Sequence, residues 1–117
     1  MDIRKLQRIV VSALEDIKGR DIEVLNTRKL TPMFDRVVIA SADSTRQVKA
    51  LARNVQEKAK EAGAEVLGTE GEDSGEWVLV DLGAIVVHVM QPTVRSFYNL
   101  EELWQGSSKA EADRVAA

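Results

Sequence analysis

The sequence predicts an α/β fold, a mixed β-sheet of about five strands with helices packed on it. Three observations carry that reading. Two long segments have helical periodicity and recognisable caps. Several short runs are rich in β-branched residues. The order along the chain is α-β-β-α-β-β-β-α, with a strand–helix–strand unit in the middle and a tight hairpin near the end.

Residues 3–18 form the first predicted helix. Ile3, Leu6, Val10, Ala13, Leu14 and Ile17 recur at three- and four-residue steps and share one face. Gly19 is placed to cap its C-terminus. Asp21–Asn26, with Ile22 and Val24 alternating, reads as an edge or half-exposed strand. A loop containing Pro32 follows. Val37-Val-Ile-Ala40 lies within a strand over 36–41, and its continuous apolar run suits burial on both faces.

Ser44-Thr-Arg-Gln47 has the form of a capping box that opens a helix over 45–62. Val48, Leu51, Ala52, Val55 and Ala59 form its buried stripe, and Gly63 ends it. Residues 64–67 read as a short strand, in parallel pairing with 36–41 through a crossover. Residues 68–75 read as a Gly- and acid-rich loop. Strands over about 76–82 and 84–90, hinged at Gly83, form an antiparallel hairpin. Pro92 breaks the second of these. Residues 93–104 suggest one or two helical turns with Leu100, Leu103 and Trp104 on one side. Residues 105–117 read as a flexible tail, so the domain is expected to span 1–104.

Composition narrows the function. The 117 residues are the size of one domain, and 44% hydrophobic residues suffice for one core. A net charge of −3 and a pI near 5.2 argue against a dedicated nucleic-acid binder and suit a basic protein partner. The chain has no cysteine, which removes disulfides and thiolate metal ligands. The N-terminus lacks a secretory pattern, and the apolar run 83–90 is too short to span a bilayer, so a cytoplasmic protein is expected.

Four of the five aromatic residues lie between Trp77 and Trp104, as does the only histidine. Such side chains favour contact surfaces, although Trp77, Phe97, Tyr98 and Trp104 could also be core. Asp81 and His88 lie within a rung or two of each other across the hairpin. A catalytic or metal pair there would lack further ligands, and a structural or interface role is favoured. Ser41–Ser44, ahead of a helix, could cradle an anion, but Asp43 would repel it, and a simple capped helix is the better reading. Glu70-Gly-Glu-Asp73 with Glu76 forms the densest acidic patch, either a solvated loop or a surface complementary to a basic partner. The basic residues Arg46, Lys49 and Arg53 lie along one solvated helix face.

Over about residues 3–104 the chain resembles the ribosomal silencing factor family, also called Iojap-like. The resemblance rests on Leu14-Glu-Asp-Ile-Lys-Gly-Arg-Asp-Ile22, Val38-Ile-Ala-Ser41 leading to Ser44-Thr-Arg-Gln47, and Glu70-Gly71. Its strongest part is Trp77-Val-Leu-Val-Asp81, Gly83, Val87-His88, Arg95 and Tyr98-Asn-Leu-Glu-Glu-Leu-Trp104. It implies a nucleotidyltransferase-like fold without that fold's catalytic aspartate pair. It also implies a translation repressor that binds large-subunit ribosomal protein fourteen and sterically blocks subunit joining when nutrients are short.

Carried over position by position, the resemblance gives Trp77, Leu82, Met90 and Tyr98 as apolar contacts. Asp81, Glu70 and Glu72 would face the cationic partner, while His88 and Arg95 would order the surface. Glu101 and Trp104 also match the signature. Ala84 and Asn26 depart from it, where acidic residues are common. No cofactor, metal or membrane is implied, and a homodimer covering the hairpin surface is a reasonable expectation. The rival readings are a degenerate nucleotidyltransferase using Asp43 and Asp81 with magnesium, and an RNA-binding module.

Overall fold

A computed structural model describes residues 1–104; the reading of 105–117 as a flexible tail lies outside the described residues. The chain runs α1 (Ile3–Asp16), β1 (Arg20–Asn26), β2 (Arg36–Ser41), α2 (Thr45–Glu61), β3 (Gly68–Glu70), β4 (Trp77–Asp81), β5 (Ile85–Met90) and α3 (Pro92–Tyr98). The strands form one five-stranded sheet in the order β1-β2-β5-β4-β3. Only β2 and β5 pair in parallel; the other neighbours are antiparallel. No helix among the described residues is long and apolar enough to cross a membrane.

The two long helices form for the reasons legible in their sequence, with one adjustment at each end of interest. Asp2 caps α1 by accepting from the Arg4 amide at 3.0 Å. At the other end the residue in the left-handed region is Lys18 (φ 61), not Gly19. Gly19 follows it and donates to the Leu14 carbonyl at 2.8 Å, closing a Schellman motif. A Cβ on Gly19 would lie 2.9 Å from that carbonyl oxygen and 3.3 Å from the Leu51 side chain, so close packing against α2 explains the glycine.

Ser44 caps α2, accepting from the Gln47 amide at 3.1 Å. Gln47 does not complete a standard capping box. Its Oε1 accepts from the Asp43 amide at 2.9 Å, and its Nε2 donates to the carbonyls of Ile17 and Lys18. One side chain thereby satisfies the open ends of both helices. Asn54 adds a second tie, donating to the Ala13 carbonyl at 2.7 Å.

The crossover differs from expectation. Residues 64–67 form no strand, and β2 takes β5 as its parallel partner. Ala64 finishes the Schellman motif of α2 by donating to Ala59, and both Ala64 and Val66 pack on the helix-side core. Their alternation reflects that packing. The regular strand begins later, at Gly68, inside the stretch expected to be loop, and it forms the far edge of the sheet.

α1 and α2 cover one face. Leu6, Val10, Leu14, Leu51 and Val55 meet Val38, Ala40, Val78, Val80, Val87 and Val89 there. Burial of each such leucine or valine side chain stabilises by about 1.5–3 kcal/mol. A smaller core on the opposite face joins Leu25, Val37, Ile39 and Met90 to Phe34, Val94, Leu100 and Trp104. Asn99 (φ 50) ends α3, and a second helical stretch occupies 100–104. Leu103, expected to pack down with Leu100 and Trp104, is instead 64% exposed.

Candidate functional site

Strand register decides which side chains share the face away from α1 and α2. One row crosses all five strands: Glu23, Ile39, His88, Leu79 and Glu70. Beside it run Leu25, Val37, Val86, Asp81 and Gly68 on one flank, and Ser41, Met90 and Trp77 on the other. The apolar positions nearest β2 are covered by α3 and residues 100–104. The β4–β3 end is left open.

Arg95 holds this cover in place. Its Nη1 donates to the Ser41 hydroxyl at 2.8 Å, its Nε pairs with Glu101, and its Nη2 lies 3.7 Å from Glu23. The Arg95 side chain is only 12% exposed, and charge-assisted hydrogen bonds of this kind are the stronger ones. They tie β1, β2, α3 and the 100–104 stretch together. The Phe34 and Trp104 rings meet edge-on at 5.1 Å in the same layer.

One turn after Arg95, α3 presents Tyr98 and Phe97. Together with the hairpin they make an aromatic ladder. The Trp77 ring lies 5.8 Å from His88 and 4.8 Å from Tyr98, and Tyr98 meets Phe97 edge-on at 5.1 Å. Exposure rises along it, from 7% at His88 to 54% at Tyr98 and 81% at Phe97. The buried end is fixed by a hydrogen bond from Trp77 Nε1 to His88 Nδ1 at 3.0 Å. His88 therefore carries its proton on Nε2 when neutral. Burial lowers its pKa from 6.5 to about 4, so it is neutral at physiological pH.

The open end of the face is acidic. Between residues 62 and 94 stand Glu65, Glu70, Glu72, Asp73, Glu76 and Asp81, with no lysine or arginine. β3 brings Glu70 opposite Leu79, and Glu72 accepts from the Thr69 hydroxyl. Glu70, Gly71, Trp77 and Leu79 line a notch of about 260 Å³.

The expected site residues separate into groups. Trp77, Tyr98, Glu70 and Glu72 meet at or beside the open surface. His88 and Arg95 lie beneath it and order it. Asp81 is on the same face, one same-face position from His88, and its Oδ1 accepts from the Gly83 amide at 2.8 Å to form the hairpin turn. Leu82 and Met90 are corrections. Leu82 packs in the helix-side core, and Met90 is fully buried beneath the cover of α3, so neither offers surface to a partner. Phe97, the most exposed aromatic residue, was not among the expected contacts. The sequence placed it in the aromatic cluster without separating core from surface, and the orientation of α3 makes that separation.

Among the described residues the two carboxylates of the rival chemistry are not brought together. Asp81 stands opposite Val86, at the start of β5, whereas Asp43 follows Ser41, which pairs with Met90 at the end of β5. The two carboxylates thus lie toward opposite ends of the sheet. Asp43 is moreover paired with Arg20. Among the described residues no cluster of three or more acidic or histidine side chains is arranged to hold a metal ion. The loop before α2 is filled by the chain's own groups: Arg95 occupies the Ser41 hydroxyl, and Gln47 occupies the Asp43 amide.

Comparison with known proteins agrees with the residues that carry the resemblance. The family model described as "Ribosomal silencing factor during starvation" matches residues 1–117. The ribosomal silencing factor of Chromobacterium violaceum is 57% identical over 106 residues, covering 91% of this chain and 87% of that protein. That of Bacillus subtilis is 38% identical over 113 residues, covering 97% and 96%. A crystal structure of a Chromobacterium violaceum protein superposes with a TM-score of 0.88 at 57% identity, covering 89% of this chain and 87% of that one. A full-length family match and relatives this similar over most of their own length make the chain a member of the ribosomal silencing factor family, regulators that act during starvation and not enzymes.

Proposed function

We propose that this protein docks on the large ribosomal subunit through the open end of its second sheet face, with large-subunit ribosomal protein fourteen as the partner, and thereby sterically prevents the small subunit from joining. The observation that carries this reading is the aromatic ladder, whose exposed rungs Tyr98 and Phe97 are 54% and 81% accessible beside an edge whose own segment, residues 62–94, contributes six acidic side chains and no basic one. Exposed aromatic side chains on a fixed support are what an interface anchor requires. The acidic edge adds complementarity to a cationic ribosomal protein and speeds encounter. A steric blocker needs affinity and position only. A standard interface buries roughly 800 Å² per partner, an area that α3, the hairpin and β3 can supply.

The finer parts of the reading follow from the same features. The sheet serves as a nucleotidyltransferase-like scaffold whose carboxylates Asp43 and Asp81 have been taken into an ion pair and a turn. Repression in the cytoplasm fits an acidic chain with little call for direct contact with RNA. A homodimer would cover Phe97 and Tyr98 in the free protein and would have to dissociate before docking. Sedimentation that stays monomeric across concentrations removes the dimer.

Co-sedimentation with isolated large subunits tests the main reading. Wild type is expected to pellet with the subunits and to inhibit their joining to small subunits. Tyr98→Ala and Trp77→Ala are expected to weaken binding by about tenfold or more. Tyr98 is exposed, so its variant keeps the fold and isolates the contact. Wild type that fails to bind large subunits would sink the proposal.

A further inference from the structure

We infer that the notch between Glu70, Gly71, Trp77 and Leu79 is a subsite for one cationic side chain, lysine or arginine, of the ribosomal partner. The inference rests on the docking surface proposed above and names what one part of it binds. The aliphatic stem of the guest would lie along Leu79 and the Trp77 ring, with its charged end at Glu70.

Four observations lead there. The first is size: about 260 Å³ is below the roughly 300–1,000 Å³ of small-molecule sites and suits a side chain. The second is the lining. An indole and a leucine are half-buried at the floor, and one carboxylate stands at the rim. Long cationic side chains bury their stem on apolar surface and keep the head at a polar edge, and a cation over an indole gains further attraction. The third is the state of the carboxylates. Thr69 engages Glu72, whereas the Glu70 carboxylate makes no hydrogen bond or ion pair among the described residues. Register with Leu79 holds it on the notch side of β3.

The fourth observation concerns how the wall is built. Gly71 has φ +86, and a Cβ there would fall 2.0 Å from the Trp77 carbonyl oxygen. The loop therefore closes directly onto the start of β4, and any other residue would push it away from Trp77. The wall is thus built to a set position by a residue that adds no side chain to the space. The charge balance of the chain points to the same guest: residues 62–94 contribute six acidic side chains and no basic one.

The test uses isolated large subunits and five chains: wild type, Glu70→Gln, Gly71→Ala, Glu65→Gln and Tyr98→Ala. Each variant is first checked by circular dichroism and thermal unfolding. Glu70→Gln removes only the charge and is expected to weaken binding by about tenfold and to flatten its salt dependence. Gly71→Ala is expected to weaken binding by displacing the wall. Glu65→Gln, which removes an acidic charge outside the notch, is expected to stay within about twofold of wild type. Equal losses in Glu70→Gln and Glu65→Gln would reduce the effect to net charge and overturn the subsite. Unchanged binding in Glu70→Gln while Tyr98→Ala still fails would also overturn it and leave the docking surface standing. Failure of wild type to bind would overturn both.

Discussion

The same strands build both faces of the sheet, yet the two faces are made of different material. Under α1 and α2 the buried cluster is aliphatic, made of leucine, isoleucine, valine and alanine, and among the described residues the one buried ionisable side chain, His88, lies on the other face. Under α3 the cover is half aromatic, a histidine and an arginine are nearly buried, and the layer stops short of the β3 edge. The first face gains from uniform burial. The second holds polar groups in fixed positions, which costs desolvation and is offset by specific hydrogen bonds. A fold secured on one side can place exposed aromatic rings on the other without losing its single structure.

The sharpest way to break the comparison is to damage the aliphatic face. Leu51 is fully buried between α1, Gly19 and the sheet. Leu51→Ala is expected to destabilise the domain by about 2–5 kcal/mol, the transfer loss plus the cavity. Urea unfolding measures it. Ribosome binding below the unfolding transition should remain, because the ladder is on the other side. A loss of binding by folded Leu51→Ala would show that the two faces are not separable.

Acid probes the second face. His88 in the folded protein titrates at about 4, against 6.5 for an exposed histidine. Its burial therefore adds no penalty above pH 6.5, where both states are neutral. As pH falls below 6.5 the unfolded chain binds a proton that the folded chain does not, and stability declines until about pH 4. A shift of this size corresponds to about 3 kcal/mol at most. His88→Gln can still accept from Trp77 and does not titrate. Plotted against pH, the stability of wild type minus that of His88→Gln should fall between pH 6.5 and 4. A flat difference would mean that the imidazole is open to water.

How far these faces were legible in the sequence follows from how each is encoded. The aliphatic face is periodic. Leu6, Val10, Leu14 and Leu51, Val55, Ala59 repeat at helical spacing, Val37–Ala40 is unbroken, and Ile85–Val89 is interrupted only by His88, so helices, inner strands and hairpin could be read locally. The parallel pairing could not, because it joins segments about fifty residues apart and no local pattern says that β5, and not 64–67, lies beside β2. On the second face the residue types were legible but their depth was not. Met90 and Trp77 pair across the hairpin, yet α3 buries the first and leaves the second half-open. That difference depends on the Arg95 ties to Ser41 and Glu101, which are long-range. Leu82 misled because the strand alternation turns it toward the helices. Glu70 drew notice as charge alone; its value at the notch comes from a strand of only three residues within a stretch that reads as loop.

The smallest expected effect on stability separates the faces most cleanly. Phe97 is 81% exposed and meets the Tyr98 ring edge-on. Phe97→Ala should change the unfolding free energy by no more than about 0.5 kcal/mol, the range of ordinary surface substitutions. If the ladder is an anchor, the same change should weaken large-subunit binding by about tenfold, because a ring that contributes nothing to the free fold can contribute its whole burial to the complex. Thermal unfolding and co-sedimentation on one preparation give both numbers. A stability loss comparable to Leu51→Ala would make Phe97 a structural residue after all. Unchanged stability with unchanged binding would shorten the anchor to Trp77 and Tyr98 and place the outermost rung beyond the reach of the partner.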